Sequence, residues 1–105
     1  MVKPPKHQAM DNARQHMIPR AFDQFCGGKY RLEVEEPIRP SEPIAGPIPR
    51  PTFNIYKGKQ KVAVFHPNGY AACYDKKFNK IFEQMRAMIE EAAQRASKEF
   101  ERRGR

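Results

Sequence analysis

Six of the ten prolines of this chain fall between Pro37 and Pro51. Proline fixes φ and lacks a backbone N–H, so such a tract forms neither a helix nor a central strand. It splits the 105 residues into a short N-terminal part and a longer C-terminal part, each with its own pattern. The length fits one domain with a small core. Charged residues at 30% and a mean hydropathy of −0.86 leave much of the chain at the surface.

Residues 1–9 are polar, carry Pro4 and Pro5, and read as a flexible arm. A short helical stretch follows from Met10 to Cys26, with Asp11 as N-cap and Gly27–Gly28 as its stop. Pro19 is expected to break it in two. From Tyr30 the period changes to two. Tyr30, Leu32 and Val34 alternate with Arg31, Glu33 and Glu35, the pattern of a strand with one buried face.

After the proline tract, Phe53 and Ile55 share a face, and "KVAVF" places Val62 with Val64. "HPNG" (66–69) reads as a β-turn. Residues 52–74 are therefore an antiparallel meander, extended by the 30–35 strand. Asp75 can cap a helix over 76–102 whose apolar stripe is Phe78, Ile81, Phe82, Met85, Met88, Ile89, Ala92, Ala96 and Phe100. Arg86–Glu90 and Glu91–Arg95 stand four apart on its polar side. At about 40 Å this helix outruns a small sheet. Its second half should project and offer Ala92, Ala96 and Phe100 to a partner or to a second copy. The fold class is α+β: three to four antiparallel strands, a short N-terminal helix, a long C-terminal amphipathic helix and a proline-rich loop over 37–51.

Nothing in the pattern points to catalysis, a cofactor or a metal. There is no HExxH, P-loop or dinucleotide-binding glycine motif. Cys26 and Cys73 are too few for a zinc module and read as reduced, packed thiols of a cytoplasmic protein. His7, His16 and His66 lack an evident partner, and no membrane span or secretory leader is visible.

The net charge of +8 calls for an acidic or polyanionic neighbour. Tyr30, Tyr56, Tyr70 and Tyr74 on a sheet, with lysines 57, 59, 61, 76, 77 and 80 near in sequence, suit a nucleic-acid surface. Against this, the cations are scattered along the chain among glutamates, which ranks nucleic acid below protein as the principal ligand and leaves nonspecific DNA contact open.

Within the proline tract stands "AGPI", Ala45, Gly46, Pro47 and Ile48. Gly46 leaves room for a groove to approach the peptide bond, Pro47 is a rigid apolar knob and Ile48 adds apolar contact. The tetrapeptide resembles the cyclophilin-binding loop of retroviral capsid proteins. That resemblance implies Pro47 in a prolyl-isomerase pocket, with Ala45, Gly46 and Ile48 along its groove. The Pro-Arg-Pro that follows Ile48 departs from it and stiffens the exit.

A small, basic, motif-free chain with such a segment and a long helix also resembles the second anti-RecBCD component of temperate enterobacterial phages. This second resemblance implies a phage-encoded adaptor in the host cytoplasm. It would bind the RecC subunit of the host RecBCD helicase–nuclease, alter its nuclease and Chi behaviour, and recruit a host cyclophilin-type prolyl isomerase. The alternative is a basic nucleic-acid-binding or ribonucleoprotein structural subunit.

Overall fold

The computed structural model describes residues 5–37 and 49–103. Helix α1 (Pro5–Phe25) leads into a four-stranded antiparallel meander in the order β1 (Arg31–Glu35), β2 (Thr52–Lys57), β3 (Gln60–Phe65), β4 (Ala71–Cys73). A 3₁₀ turn (Lys76–Phe78) and helix α2 (Asn79–Arg103) complete the fold. The protein is α+β, with α2 packed antiparallel against α1.

The N-terminal helix is longer than its sequence pattern suggests. It starts at Pro5, so the expected arm over 1–9 is helical from that residue on. Proline is tolerated at a first helical position, where no N–H is needed. The helix also runs through Pro19 unbroken. The hydrogen bond lost there is offset by Ile18 and Ala21, both fully buried against the sheet and α2. Asp11 does not cap a helix but lies buried in its middle.

Core residues from both helices and one sheet face form a single cluster. Phe53 and Ile55 enter it as their spacing predicts, but Val62 and Val64 do not act together. Ile55 pairs with Ala63 and Tyr56 with Lys61, so Val62 is the extra residue of a β-bulge. The bulge turns Val62 and Ala63 both into the core and sends Val64 to the opposite face, beside Asn54. Tyr30 packs edge-on to Phe78 at 4.9 Å, and Phe65 lies 5.1 Å from Phe82.

Asp75 caps the last helical segment as expected, its carboxylate accepting from the Lys77 N–H at 3.1 Å. The second half of α2 does not project. Ala93 and Ser97 are buried, and Lys6 near the start of α1 pairs with Glu101. Because α1 is 21 residues long, it accompanies α2 past the edge of the sheet. Truncation after Gln94 is therefore expected to lower the melting temperature and to speed amide exchange in the first two turns of α1. Unchanged exchange there would show that the two helix ends are not energetically coupled.

Cys26 sits 3.7 Å from the Met85 sulfur, and burial pushes its thiol up to about 11 from 9.0. A raised folded-state pKa means that its contribution to stability is complete below pH 9 and is lost as the pH rises through about 11. Iodoacetamide at pH 8 should label Cys26 at the rate of global unfolding. Labelling of the native chain as fast as a free thiol would contradict this.

Candidate functional site: a proline-rich hairpin loop on a charged anchor

β1 and β2 are adjacent strands, paired from Arg31↔Tyr56 to Glu35↔Thr52. Two to five residues commonly join such a pair. Here the chain leaves at Glu35 and returns opposite it at Thr52 after sixteen residues, 36–51. The proline tract therefore spans no distance within the fold. Ala45, Gly46, Pro47 and Ile48 lie outside the described residues.

The return stem of this loop is fixed. Arg50 donates to the Gln15 side chain at 2.9 Å and stands 3.9 Å from the Asp11 carboxylate, so both bonds tie it to the middle of α1. Asp11 also receives Arg14 at 3.1 Å. Arg14 in turn holds both oxygens of Glu90, at 2.8 and 3.2 Å, in the bidentate geometry that makes such pairs strong. The same guanidinium donates to the Pro67 carbonyl at 3.3 Å and lies 3.5 Å from where a Cβ on Gly69 would stand. Gly69 has φ +103°, so the turn itself calls for a glycine, while a Cβ there would meet the guanidinium only in ordinary contact.

One buried carboxylate and two arginines thus join α1, α2, the β3–β4 turn and the end of the proline loop. Glu90, expected to pair with Arg86 along the helix surface, is used here instead. The Glu91–Arg95 pair does form. The sequence signal for the anchor is weak, because its members stand far apart in the chain.

Of the helix positions expected to serve a partner, Ala92 and Ala96 are half-buried and Phe100 is 37% exposed. Ala92 lines a groove of about 510 Å³ between the helices, with Met17, Phe25, Ala87 and Met88 as its apolar wall. The four tyrosines separate: Tyr30 belongs to the core margin, while Tyr70 and Tyr74 are more than half exposed. His66 accepts from the Asn68 N–H and so serves the β3–β4 turn.

Among the described residues no group of three or more histidine, cysteine, aspartate or glutamate side chains could hold a metal ion. None of their helices is long and apolar enough to cross a membrane. Comparison with protein-family models, with curated proteins and with solved structures finds no match to this chain.

Proposed function

We propose that this protein is a non-catalytic adaptor whose 36–51 loop is a ligand for a cyclophilin-type prolyl isomerase. The observation that carries the reading is the Glu35↔Thr52 pairing. A loop that returns to its starting point has no need of sixteen residues, and six of them are prolines. Prolines restrict the free loop, so less entropy is lost when a groove fixes it. The Arg50 anchor removes further freedom at the exit. Ala45 to Ile48 are the residues for the isomerase groove, with Pro47 in its pocket.

The resemblance to the phage anti-RecBCD component supplies the second partner, the RecC subunit of the host helicase–nuclease. The groove beside Ala92 is the apolar surface that suits it, because Met17, Phe25 and Met88 give it contact area between two rigid helices. Retrieval of RecBCD by the tagged protein from nuclease-treated enterobacterial lysate is the expected result. Its absence would remove the RecC assignment while leaving the loop reading to its own test.

That test is a titration of purified cyclophilin-type isomerase into the wild-type chain and into a Gly46→Ala/Pro47→Ala variant. The X-Pro bond has only a small trans preference, about 0.5–1 kcal/mol, so either isomer is available to the enzyme. Chemical-shift changes confined to the isomerase active site are expected with the wild type and absent with the variant, whose melting temperature should be unchanged. Equal binding by both chains, or by neither, would refute the loop reading.

A further inference from the structure

The lysines that are scattered in sequence gather in the fold. The β2–β3 turn brings Lys57, Lys59 and Lys61 to one end of the sheet. β4 runs antiparallel to β3, and the Tyr74 N–H donates to the Val62 carbonyl, so Tyr74, Lys76 and Lys77 arrive at the same end. All five lysines are exposed, and none forms an ion pair with a described residue. By contrast Lys6, Arg14, Arg31, Arg50, Arg95 and Arg103 each face a carboxylate. The acids nearest this end are already engaged: Asp75 caps the Lys77 N–H and Glu33 holds Arg31.

Aromatic surface lies among these charges. Register places Tyr56 beside Lys61 on the sheet face away from the helices, and Ala72 beside Val64 on that same face. Tyr70 and Tyr74 flank Ala72 by two residues each, so strand alternation sets both on this face. They are 58% and 54% exposed and stand on either side of the small Ala72 side chain. At the foot of Tyr74 is a hollow of about 280 Å³ formed with Cys73, Asp75, Lys76 and Asn79.

From this juxtaposition we infer a binding site for single-stranded nucleic acid at this end of the sheet. The five lysines receive backbone phosphates, and the exposed ring of Tyr74, supported by Tyr70, stacks a base. Unpaired cations attract a polyanion in preference to an uncharged partner. The exposed rings select a strand whose bases are free to stack, which a duplex does not offer. These residues stand at the opposite end of β2 from the Glu35↔Thr52 stem, and the inference does not depend on the role of the loop.

The experiment is fluorescence anisotropy of a labelled oligothymidylate about 15 nucleotides long, comparable to the site sizes of single-strand binders, titrated with the full chain over a range of salt. Binding at low salt that weakens steeply as salt rises is expected. Tyr74→Ala should weaken it about tenfold, the scale of one base–aromatic stack, while Tyr74→Phe should bind as the wild type does. Replacing Lys59, Lys61 and Lys76 together by Gln should reduce the logarithmic salt slope by about 2. An Arg102→Gln/Arg103→Gln control should change little, and the Gly46→Ala/Pro47→Ala chain should bind oligonucleotide normally. No binding at low salt, equal affinity for duplex, indifference to Tyr74→Ala, or an equal loss in the arginine control would each overturn the assignment.

Discussion

Phe78→Ala should lower stability by about 3–5 kcal/mol, the range for removing a buried phenylalanine ring. Phe78 is fully buried and sits where three elements meet. It belongs to the 3₁₀ turn that starts the last helix, its ring meets Tyr30 edge-on, and it lies in the cluster with Ile55 and Met85. Deletion of the ring leaves a cavity that rigid strands cannot close and frees Tyr30 to leave the core margin. In a domain of this size the melting temperature should fall by more than about 10 °C. Thermal unfolding followed by near-ultraviolet circular dichroism measures it, and a fall of only a few degrees would place Phe78 outside the structural centre. Phe82→Ala, beside Phe65, belongs to the same class.

Arg14→Met is the second large effect, and its origin is electrostatic. Asp11 is 3% exposed, and its shorter arginine contact is the 3.1 Å one to Arg14. Without that guanidinium the buried carboxylate keeps Arg50, at 3.9 Å. The expected cost is about 3 kcal/mol, the low end for breaking a buried pair because one cation remains. Asp11→Asn combined with Arg14→Met removes the buried charge that has lost its nearer arginine, so the double variant should be more stable than Arg14→Met alone. Urea denaturation of the wild type, both single variants and the double variant gives the coupling directly. Additive effects would mean that Asp11 and Arg14 do not share one interaction.

The elements most legible in sequence were those whose pattern is local. The stripe from Phe78 to Ile89 and the Asp75 cap each depend on near neighbours, and both stand in the structure; the alternation of β1 holds only in part, since Tyr30 and Leu32 pack on the core while Val34 is 48% exposed. The misread features depend on contacts made far along the chain. Pro19 looks like a break until Ile18 and Ala21 are seen buried beneath it, and Asp11 looks like a cap until Arg14 and Arg50 surround it. The extra Val62 is visible only from pairing, since "KVAVF" is apolar from Val62 to Phe65 and does not mark where the register shifts. The expected projection of the second half of α2 compared its length with the sheet alone and left out α1, which runs beside it.

The candidate sites divide in the same way. "AGPI" is a continuous tetrapeptide and could be read directly, although its placement lies outside the described residues. The anchor beneath the loop draws on residues 11, 14, 15, 50 and 90, and the basic end of the sheet draws on two lysine groups fifteen residues apart or more. Neither has a local signature, because strand order and helix docking create both.

The pairing of Lys6 with Glu101 joins residues 95 apart in sequence, while the meander between them is built from successive neighbours. Closing so long a segment is entropically the most demanding contact in the chain, whereas β2–β3 closes over a two-residue turn. Folding order should follow that difference: the β2–β3–β4 hairpins with the first turns of α2 form the nucleus, and α1 docks last. On a ribosome, α1 would emerge first and wait for its partner helix. Its exposed stripe of Met17, Ile18, Ala21, Phe22 and Phe25 would need shielding until the final residues of α2 are made. Substitutions in α1 should therefore speed unfolding and leave the folding rate almost unchanged, and those at Val62 or Phe65 should slow folding.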